Sequence, residues 1–501
     1  MANMLNRSPA RGMALAALVA AACACRAQGA AEWFVRVDPA QSRGPIRVMN
    51  AVNNGPNKVR SDQTRSNFDE FKALKIPYAR VHDANLCHAY GAPHTVDISA
   101  VFPNFDADPN DPLAYDFTLT DEYLDTLASA GTETFSRLGQ SIEHSIKKYG
   151  VHPPKDFAKW ARICEHVVRH YNEGWGWNVR TEAFKNVVQY RNQFKIKYWE
   201  IWNEPDGNQR TPDGREGPTW TGTQQQFLEL YEVTAKHLRA CFGDTIKIGG
   251  PAFCWWGAWQ DVFLSYCRTN NVPLDFYSWH CYAVSPMQVA QGIRDARKLL
   301  DDNGFKNAES ILNEWNYVKG WTDPWIYSLE VESGRFGQKG AAFVAATMCV
   351  SQDAPLDLLM FYDARLGTAM NNMFDANTYL PMKGYYPFAA WRDLRDLGEQ
   401  IVCTTETGDL KADADKQLYA VAAKDKDGRL GVFIVRYSDD NNIVETRRVT
   451  LALPKGHSFA KARCLLTDVV RTHTETPLIL NADGTASVKM QPNSFAYVTV
   501  E

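Results

Sequence analysis

The sequence lacks several patterns that would place it in common functional classes. It contains no GxGxxG turn, which marks an open dinucleotide-binding sheet, and no CxxC pair of the kind that binds zinc. Basic residues do not predominate, because 54 Lys and Arg stand against 58 Asp and Glu and the net charge is −4. Beyond the N-terminus, no apolar run reaches the roughly 18 residues that a membrane-spanning helix needs. We therefore expect no nucleic-acid partner, no membrane span and a small or neutral ligand.

The cysteines are not spaced as in a disulfide framework. The 11 cysteines are scattered, and the nine beyond Cys25 are an odd number, so at least one thiol stays unpaired even in an oxidising compartment. We interpret most of them as buried small hydrophobic residues. The sequence therefore predicts neither a metal site nor a cofactor.

The N-terminus has the pattern of an export signal. Arg7 and Arg11 precede the apolar run Met13 to Ala22, and small residues follow it. This arrangement predicts a secretory signal peptide over residues 1–28 and a secreted or periplasmic protein. Lipid modification of Cys23 or Cys25, which would give a cell-surface lipoprotein, is the alternative.

The region 31–396 alternates short β-type runs with amphipathic helical stretches, which favours a (β/α)8 TIM barrel within the α/β class. The predicted helices are 120–130, 156–172, 224–241, 286–303 and 338–350. The predicted strands are Ile46–Ala51, Tyr78–His82, Thr134–Leu138, Lys197–Trp202, Ile246–Gly249, Phe276–His280, Ser310–Asn313 and Leu358–Tyr362.

The pattern of apolar and polar residues changes after residue 397. Apolar and polar residues alternate in five runs, and Asp427-Gly428 and Asp483-Gly484 supply hairpin turns. We expect an all-β sandwich over residues 397–501. The segment Trp33–Val37 could add a strand to it.

Two glutamates end predicted barrel strands. Glu204 follows the fourth strand in the sequence Trp202-Asn203-Glu204-Pro205, and Glu314 follows the seventh in Leu312-Asn313-Glu314-Trp315. The active sites of such barrels lie where the βα loops converge, and strands four and seven lie across that mouth from each other. Two carboxyl groups about 5–5.5 Å apart are the geometry of a retaining glycosidase. We predict Glu204 as the acid/base and Glu314 as the nucleophile.

These segments resemble glycoside hydrolase family 39, in the clan with a four/seven barrel arrangement, a family of β-xylosidases and α-L-iduronidases. The resemblance implies a retaining, exo-acting hydrolase that releases a terminal sugar and uses no cofactor. It also implies that Asn203 contacts the sugar 2-hydroxyl. In the segment His280-Cys281-Tyr282, the resemblance implies that Tyr282 positions the nucleophile and that His280 touches the sugar. Arg80, in Arg80-Val81-His82-Asp83, would lie near the nucleophile.

The third strand departs from the family pattern. The family has a Met-Pro segment where this chain has Arg137 to His144, so Arg137 and His144 are candidates for contacts with a different glycon. His82 and Trp315 complete the predicted substrate-binding set. Two alternatives stay open: an inactive carbohydrate-binding protein on a glycosidase fold, and a metal-dependent barrel hydrolase, although the latter would need a His-x-His on its first strand. The glycon, the anomeric preference and the oligomeric state do not follow from these residues.

Overall fold

The structure is a computed structural model, and it describes residues 32–58, 65–84, 94–176, 195–207, 216–254, 256–320, 335–368, 370–408, 410, 416–454 and 457–501. The predicted signal segment 1–28, with Cys23 and Cys25, lies outside the described residues, as does Cys87. Within the described part of the chain, no helix is both long and apolar enough to cross a bilayer. The eight cysteines of that part are free thiols.

Strand β1 (Trp33–Pro45) is followed by eight parallel strands that close into a barrel in chain order. The predicted barrel is thereby confirmed. Its strands are β2 (Ala51–Asn53), β3 (Tyr78–Val81), β4 (Glu133–Leu138), β5 (Tyr198–Ile201), β6 (Lys247–Phe253), β7 (Phe276–Ala283), β8 (Glu309–Tyr317) and β9 (Leu358–Phe361).

The first barrel strand begins later than predicted, at Ala51 instead of Ile46. The backbone N–H of Ile46 donates to the carbonyl of Gly398, and the guanidinium of Arg47 donates to the carbonyls of Ser351 and Leu356. The segment keeps one backbone bond to the barrel, from the Leu359 N–H to the Val48 carbonyl at 3.3 Å, but the regular ladder begins only at Ala51. An apolar run alone does not reveal which backbone partners it will find.

A small aromatic core fills the lower part of the barrel. Phe135 stacks on Tyr198 with ring centroids 5.1 Å apart and meets Phe276 edge-on at 5.2 Å. Ala51, Ile311, Leu358 and Met360 complete this cluster. Polar side chains that face the barrel interior further along the strands therefore lie between this apolar cluster and the barrel mouth.

Helices pack around the barrel and bury the faces that the sequence pattern predicted. Trp160, Ile163 and Val167 are buried on one helix, and Phe227 and Leu238 on another. The described helices are Phe68–Ala73, Ile98–Val101, Thr118–Ser129, Phe157–Glu173, Gln224–Phe242, Ala258–Thr269, Pro286–Asp302, Gln338–Gln352 and Tyr386–Leu397. Asp156 caps Phe157–Glu173 by accepting from the Lys159 N–H, and Gly174 ends that helix in the left-handed conformation.

The C-terminal strands form one ten-stranded sheet with β1 inside it. These strands are β10 (Glu399–Thr407), β11 (Leu418–Lys424), β12 (Leu430–Arg436), β13 (Arg447–Ala452), β14 (Arg463–Thr467), β15 (Thr474–Glu475), β16 (Ile479–Leu480), β17 (Ala486–Met490) and β18 (Ser494–Val500). The order is β15-β14-β18-β12-β11-β10-β1-β13-β17-β16. Strand β1 pairs antiparallel with β10 and parallel with β13. Residues 33–45 therefore belong to this sheet, which agrees with the alternative that Trp33–Val37 adds a strand to the β-domain and not with their place in the predicted barrel region 31–396.

The sheet curls over to enclose its own core. Its two outermost strands, β15 and β16, are separated by the three residues 476–478, which can span only about 10–14 Å. The two edges must therefore approach each other. An apolar cluster that includes Trp33, Val432, Val449 and Val498 fills the space enclosed. This arrangement fits the predicted accessory β-domain.

Candidate active site

Glu204 stands at the C-terminal end of the fourth barrel strand. After β5 the backbone turns sharply, with φ of +73° at Trp202 and +50° at Glu204, a region that residues other than glycine rarely adopt. The turn is held because the Glu204 N–H donates to the Ala252 carbonyl at 3.0 Å, and the Glu204 carbonyl accepts from Thr219 Oγ1 at 2.7 Å. Strain held in this way is common where a side chain must be aimed at a ligand.

Glu314 lies within the seventh barrel strand, and a bulge directs it inward. Along β7 and β8, Trp279 pairs with Leu312 but His280 pairs with Glu314, so Asn313 is an extra residue on β8. Asn313 donates to Glu200 and Glu314 accepts from Arg80, so two consecutive side chains face the barrel interior. Such a bulge breaks the alternation of a strand and re-aims the side chains that follow it.

The two glutamates meet at the barrel mouth. A carboxylate oxygen of Glu204, a carboxylate oxygen of Glu314 and a ring nitrogen of His280 all lie within 4.8 Å of one another. His280 Nδ1 is 2.7 Å from Glu204 Oε1 and 3.4 Å from Glu314 Oε2. The Tyr282 hydroxyl donates to Glu314 Oε2 at 2.8 Å. Both carboxyl groups can therefore reach one bound sugar.

A buried ion-pair network supports this pair from below. Arg80 donates through Nη1 to Glu314 Oε1 at 2.7 Å, through Nη2 to Asn203 Oδ1 at 2.6 Å and through Nε to Glu200 Oε2 at 2.7 Å. Glu200 also accepts from Ser278 and Asn313, each at 2.6 Å. Arg80 and Glu200 are fully buried. Removing one partner would leave an uncompensated buried charge, so the network fixes the position of Glu314.

Burial and neighbouring charges set the proton affinities. Burial raises the pKa of Glu204 from its ordinary 4.5 to about 7; Arg80 opposes the rise and Asp83 adds to it. Burial also raises the pKa of Glu314, while His280, Arg80 and the Tyr282 hydroxyl oppose this. Burial lowers the pKa of His280 to about 4, so its ring is neutral at neutral pH.

Glu314 ionises before Glu204. Glu314 accepts one hydrogen bond from a guanidinium and another from a hydroxyl, both of which favour a carboxylate. Once Glu314 is charged, ionising a second carboxyl group nearby costs more, so the remaining proton stays on Glu204. Below about pH 7, once Glu314 has ionised, the site therefore holds one carboxylate and one carboxylic acid side by side.

Two further polar groups at the site lack a hydrogen-bond partner among the described residues. His82 is 1% exposed, neither ring nitrogen is bonded, and Nε2 lies 3.9 Å from Glu314 Oε1. Asn203 Nδ2 is likewise buried and unbonded. Burial of such atoms without a partner is costly, so a ligand hydroxyl that bonds to them would be favoured. This agrees with the predicted sugar contacts of His82 and Asn203, which stay predictions.

The structure places three other predicted residues differently. Trp315 is fully buried and packs on Phe343 and Phe361 in the layer between barrel and helices. The bulge that turns Glu314 inward turns Trp315 outward, so its predicted sugar contact is wrong. Arg137 is also buried; it pairs with Asp97 at 2.6 Å and donates to the His82 carbonyl, so it supports His82 from behind. His144 is exposed on the segment after β4.

The sequence interpretation missed a second charged group beside the site. Asp83 accepts from the Tyr362 hydroxyl at 2.7 Å and lies 3.3 Å from Arg365 Nη2. Arg365, His82, His94 and Tyr362 hold the pKa of Asp83 well below its ordinary value despite burial. Burial raises the pKa of Asp363 to about 6, opposed by Arg365. Tyr362, Asp363 and Arg365 follow β9, and only their place at a barrel-strand end could have drawn attention to them.

A closed parallel barrel with two glutamates from its fourth and seventh strands close together at the mouth is the arrangement expected of a barrel glycosidase. Residues 93–325 match the model of Glycosyl hydrolases family 39, and this match supports the resemblance seen in the motifs. The Arg80 segment lies outside the matched stretch, so its role rests on the contacts described above.

Two curated relatives support the same family. A β-xylosidase of Caldicellulosiruptor saccharolyticus is 26% identical over 194 residues, 37% of this chain and 34% of the relative. A β-xylosidase of Geobacillus stearothermophilus is 30% identical over 178 residues, 34% of this chain and 31% of the relative. The chain thus matches about a third of the length of each.

Solved structures share the fold at low identity. A glucosidase from Croceicoccus marinus superposes with a TM-score of 0.70 at 19% identity, covering 94% of this chain and 99% of the other. A monomeric β-xylosidase from Caulobacter crescentus CB15 gives 0.65 at 16% identity, covering 93% and 99%. The barrel and the β-domain therefore occur together in these proteins as well.

Proposed function

We propose that this chain is a retaining exo-glycosidase that releases a neutral terminal sugar, such as xylose or glucose, by double displacement. One observation carries the proposal: a carboxylate oxygen of Glu204 and one of Glu314 lie within 4.8 Å, at the same end of one barrel. An inverting enzyme needs about 6.5–9.5 Å between its carboxyl groups, to admit a water molecule. The short separation here favours direct attack by one carboxylate.

In the first step, Glu314 attacks the anomeric carbon while Glu204 donates its proton to the departing glycosidic oxygen. Arg80 and Tyr282 hold the Glu314 carboxylate in position for this attack. In the second step, Glu204, now ionised, removes a proton from water, which attacks the glycosyl ester and releases Glu314. Two inversions at one carbon retain its configuration. His280 bonds to Glu204 and keeps the Glu204 carboxyl group directed at the glycosidic oxygen.

The charges around the site favour a neutral sugar. Arg80 is engaged by Glu200 and Glu314, Arg365 lies against Asp83, and Arg137 is paired with Asp97. A uronic acid would bring a further carboxylate to a site whose nearby guanidinium groups already face carboxylates, and the repulsion would be strong at low dielectric. The two curated relatives are β-xylosidases, which supports a neutral glycon and exo action.

The test compares nitrophenyl xyloside, glucoside, arabinoside, galactoside and glucuronide. We expect hydrolysis of a neutral glycoside in the presence of EDTA, and a loss of about 100- to 10,000-fold in Glu204→Gln for an unactivated leaving group. Glu314→Ala should be inactive, and azide should rescue it to a glycosyl azide of inverted configuration. Glu133→Gln, an exposed glutamate on β4, is the matched control and should keep wild-type rates. An inverted natural product, or undiminished hydrolysis of a glycoside with an unactivated leaving group by Glu204→Gln, would refute the mechanism.

We also propose that the chain is exported, on the pattern of residues 1–28, with lipid modification of Cys23 or Cys25 as the alternative. The mass of the mature N-terminus after expression in a secreting host tests this. An intact Met1 on the purified protein would contradict export.

A further inference from the structure

A second cluster of potential metal ligands lies on the outer helices. Glu165 belongs to the helix Phe157–Glu173, and His237 and Cys241 belong to the neighbouring helix Gln224–Phe242. We propose that these three side chains form a zinc-binding site that joins the two helices. The proposal is independent of the hydrolytic function.

The ligand atoms already converge. His237 and Cys241 are four residues apart, so they lie on the same face of their helix. His237 Nε2 is 2.6 Å from Glu165 Oε2 and 3.8 Å from Cys241 Sγ, and all three ligand atoms lie within 4.8 Å of one another. Tetrahedral zinc with bonds of about 2.0–2.3 Å places its ligand atoms roughly 3.3–3.6 Å apart. Side-chain adjustments on the order of 1 Å, which lengthen the Glu165–His237 separation and shorten the others, would therefore create the geometry.

The chemistry of the set suits zinc. Imidazole nitrogen, thiolate sulfur and carboxylate oxygen are its usual protein ligands. The three residues are partly exposed, so an ion can enter and a water molecule can fill the fourth position. Binding would displace the proton that His237 and Glu165 share and release the thiol proton of Cys241 to solvent.

Arg169 supports the carboxylate from its other side. Its Nε donates to Glu165 Oε1 at 2.7 Å, which leaves Oε2 directed at His237. The guanidinium charge is shared with Glu173, which accepts from Nη1. Ligand carboxylates in metal sites are commonly held in this way by an outer hydrogen bond.

The experiment uses the full-length mature protein, stripped with chelator and kept reduced. Calorimetric titration with zinc chloride should show one bound equivalent, and cobalt(II) should produce a thiolate charge-transfer band in the near ultraviolet. Cys241→Ser and His237→Asn should each weaken zinc binding at least about 10-fold and remove the rise in melting temperature on zinc addition. His457→Asn, an exposed histidine on the β-domain, is the control and should bind as the wild type does.

Three results would overturn the proposal: no stoichiometric binding, equal binding by Cys241→Ser and the wild type, or binding lost in Glu204→Gln but retained in Cys241→Ser. The last result would place the ion at Glu204, His280 and Glu314, the other three-ligand group in the described chain. Cobalt distinguishes the two sites directly, because that group contains no sulfur ligand.

Discussion

Glu204 and Glu314 carry the same functional group, and their neighbours give them different tasks. Glu314 is 2% exposed and bonded to a guanidinium and a hydroxyl, whereas Glu204 is bonded to a histidine that is neutral at neutral pH. Burial makes both carboxylates costly, but only Glu314 has a cation to compensate it directly. The proposed roles of proton donor and nucleophile thus follow from the environment of each carboxyl group and not from residue type.

The pH dependence of hydrolysis should report this difference. Glu204 must be protonated for the first step, so kcat/KM should fall as the pH rises through about 7, the pKa of Glu204 in the folded protein. Glu314 must be ionised, so the rate should also fall at acidic pH. Glu204→Gln, assayed on a dinitrophenyl glycoside whose leaving group needs no acid, should lack the basic limb and keep the acidic one. A basic limb that persists in this variant would show that another group donates the proton.

The same pKa has a consequence for stability. The folded-state pKa of Glu204, about 7, lies above its ordinary 4.5, so the folded protein binds a proton more tightly than the unfolded chain. Stability from this group is fully present below pH 4.5 and declines as the pH rises to about 7. The difference of about 2.5 pH units corresponds to about 3 kcal/mol of unfolding free energy. Since Gln is always neutral, Glu204→Gln should unfold at higher urea concentration than the wild type at pH 8.

The control for this prediction is the measurement at pH 5, where most of the difference should disappear. Equal urea midpoints for the two proteins at pH 8 would contradict the conclusion that burial of the Glu204 carboxylate costs stability. A midpoint gain of equal size at both pH values would point to packing instead.

At the scale of the strand, the bulge in β8 decides which side chains face the barrel interior. Sequence alternation placed Glu314 near a strand end and brought it together with Glu204 at the barrel mouth, as the structure shows, because both glutamates follow strongly apolar runs. It could not show that Asn313 is the extra residue, so it assigned Trp315 to the site and missed the bond between Asn313 and Glu200. Period-two patterns carry no information about a local change of register.

Other contacts in the site depend on elements far apart in the chain. Tyr362 and Arg365 reach Asp83 from the eighth barrel strand, across 279 and 282 residues. The family resemblance placed Arg80 and Tyr282 near the nucleophile, because those residues stand in recognisable segments. Arg137 and His144 had no such counterpart, and the charge on Arg137 gave no sign of whether it faced sugar or Asp97.

Helix termini give a prediction at the same scale. Thr223 caps the helix Gln224–Phe242 in a capping box: its hydroxyl accepts from the Gln226 N–H at 3.1 Å, and Gln226 Oε1 accepts from the Thr223 N–H at 2.9 Å. Thr223→Ala should lower the free energy of unfolding by about 1 kcal/mol, measured by urea denaturation. Thr223→Ser restores the hydroxyl and should recover most of that loss. Equal destabilisation by Ala and Ser would show that the methyl group, and not the hydrogen bond, matters.

For the whole molecule, the barrel and the β-domain are built as one unit. The helix Gln338–Gln352 contacts barrel strand β8 on one side and β11, β12 and β18 on the other, and it is buried along nearly its whole length. The Tyr317 hydroxyl, at the end of β8, donates to Asp439 of the β-domain, and Lys339 pairs with the same carboxylate at 2.8 Å. The β-domain therefore helps to hold the strand that carries Glu314.

This interlocking predicts that the barrel will not fold alone. Strand β1 precedes the barrel in the chain but lies in the middle of the β-domain sheet, where Trp33, Val35 and Val37 are at most 3% exposed. A chain of residues 32–398 would expose these three side chains, at about 1.5–3 kcal/mol each, together with the faces of the helices 338–352 and 386–397 that pack on the sheet. We expect this fragment to be insoluble or to bind ANS without a cooperative thermal transition, while residues 32–501 melt cooperatively. Removing only β1, in residues 46–501, should also destabilise the protein, because β10 and β13 lose the strand between them. A soluble fragment 32–398 with a sharp melting transition and glycosidase activity would show instead that the barrel is an independent domain.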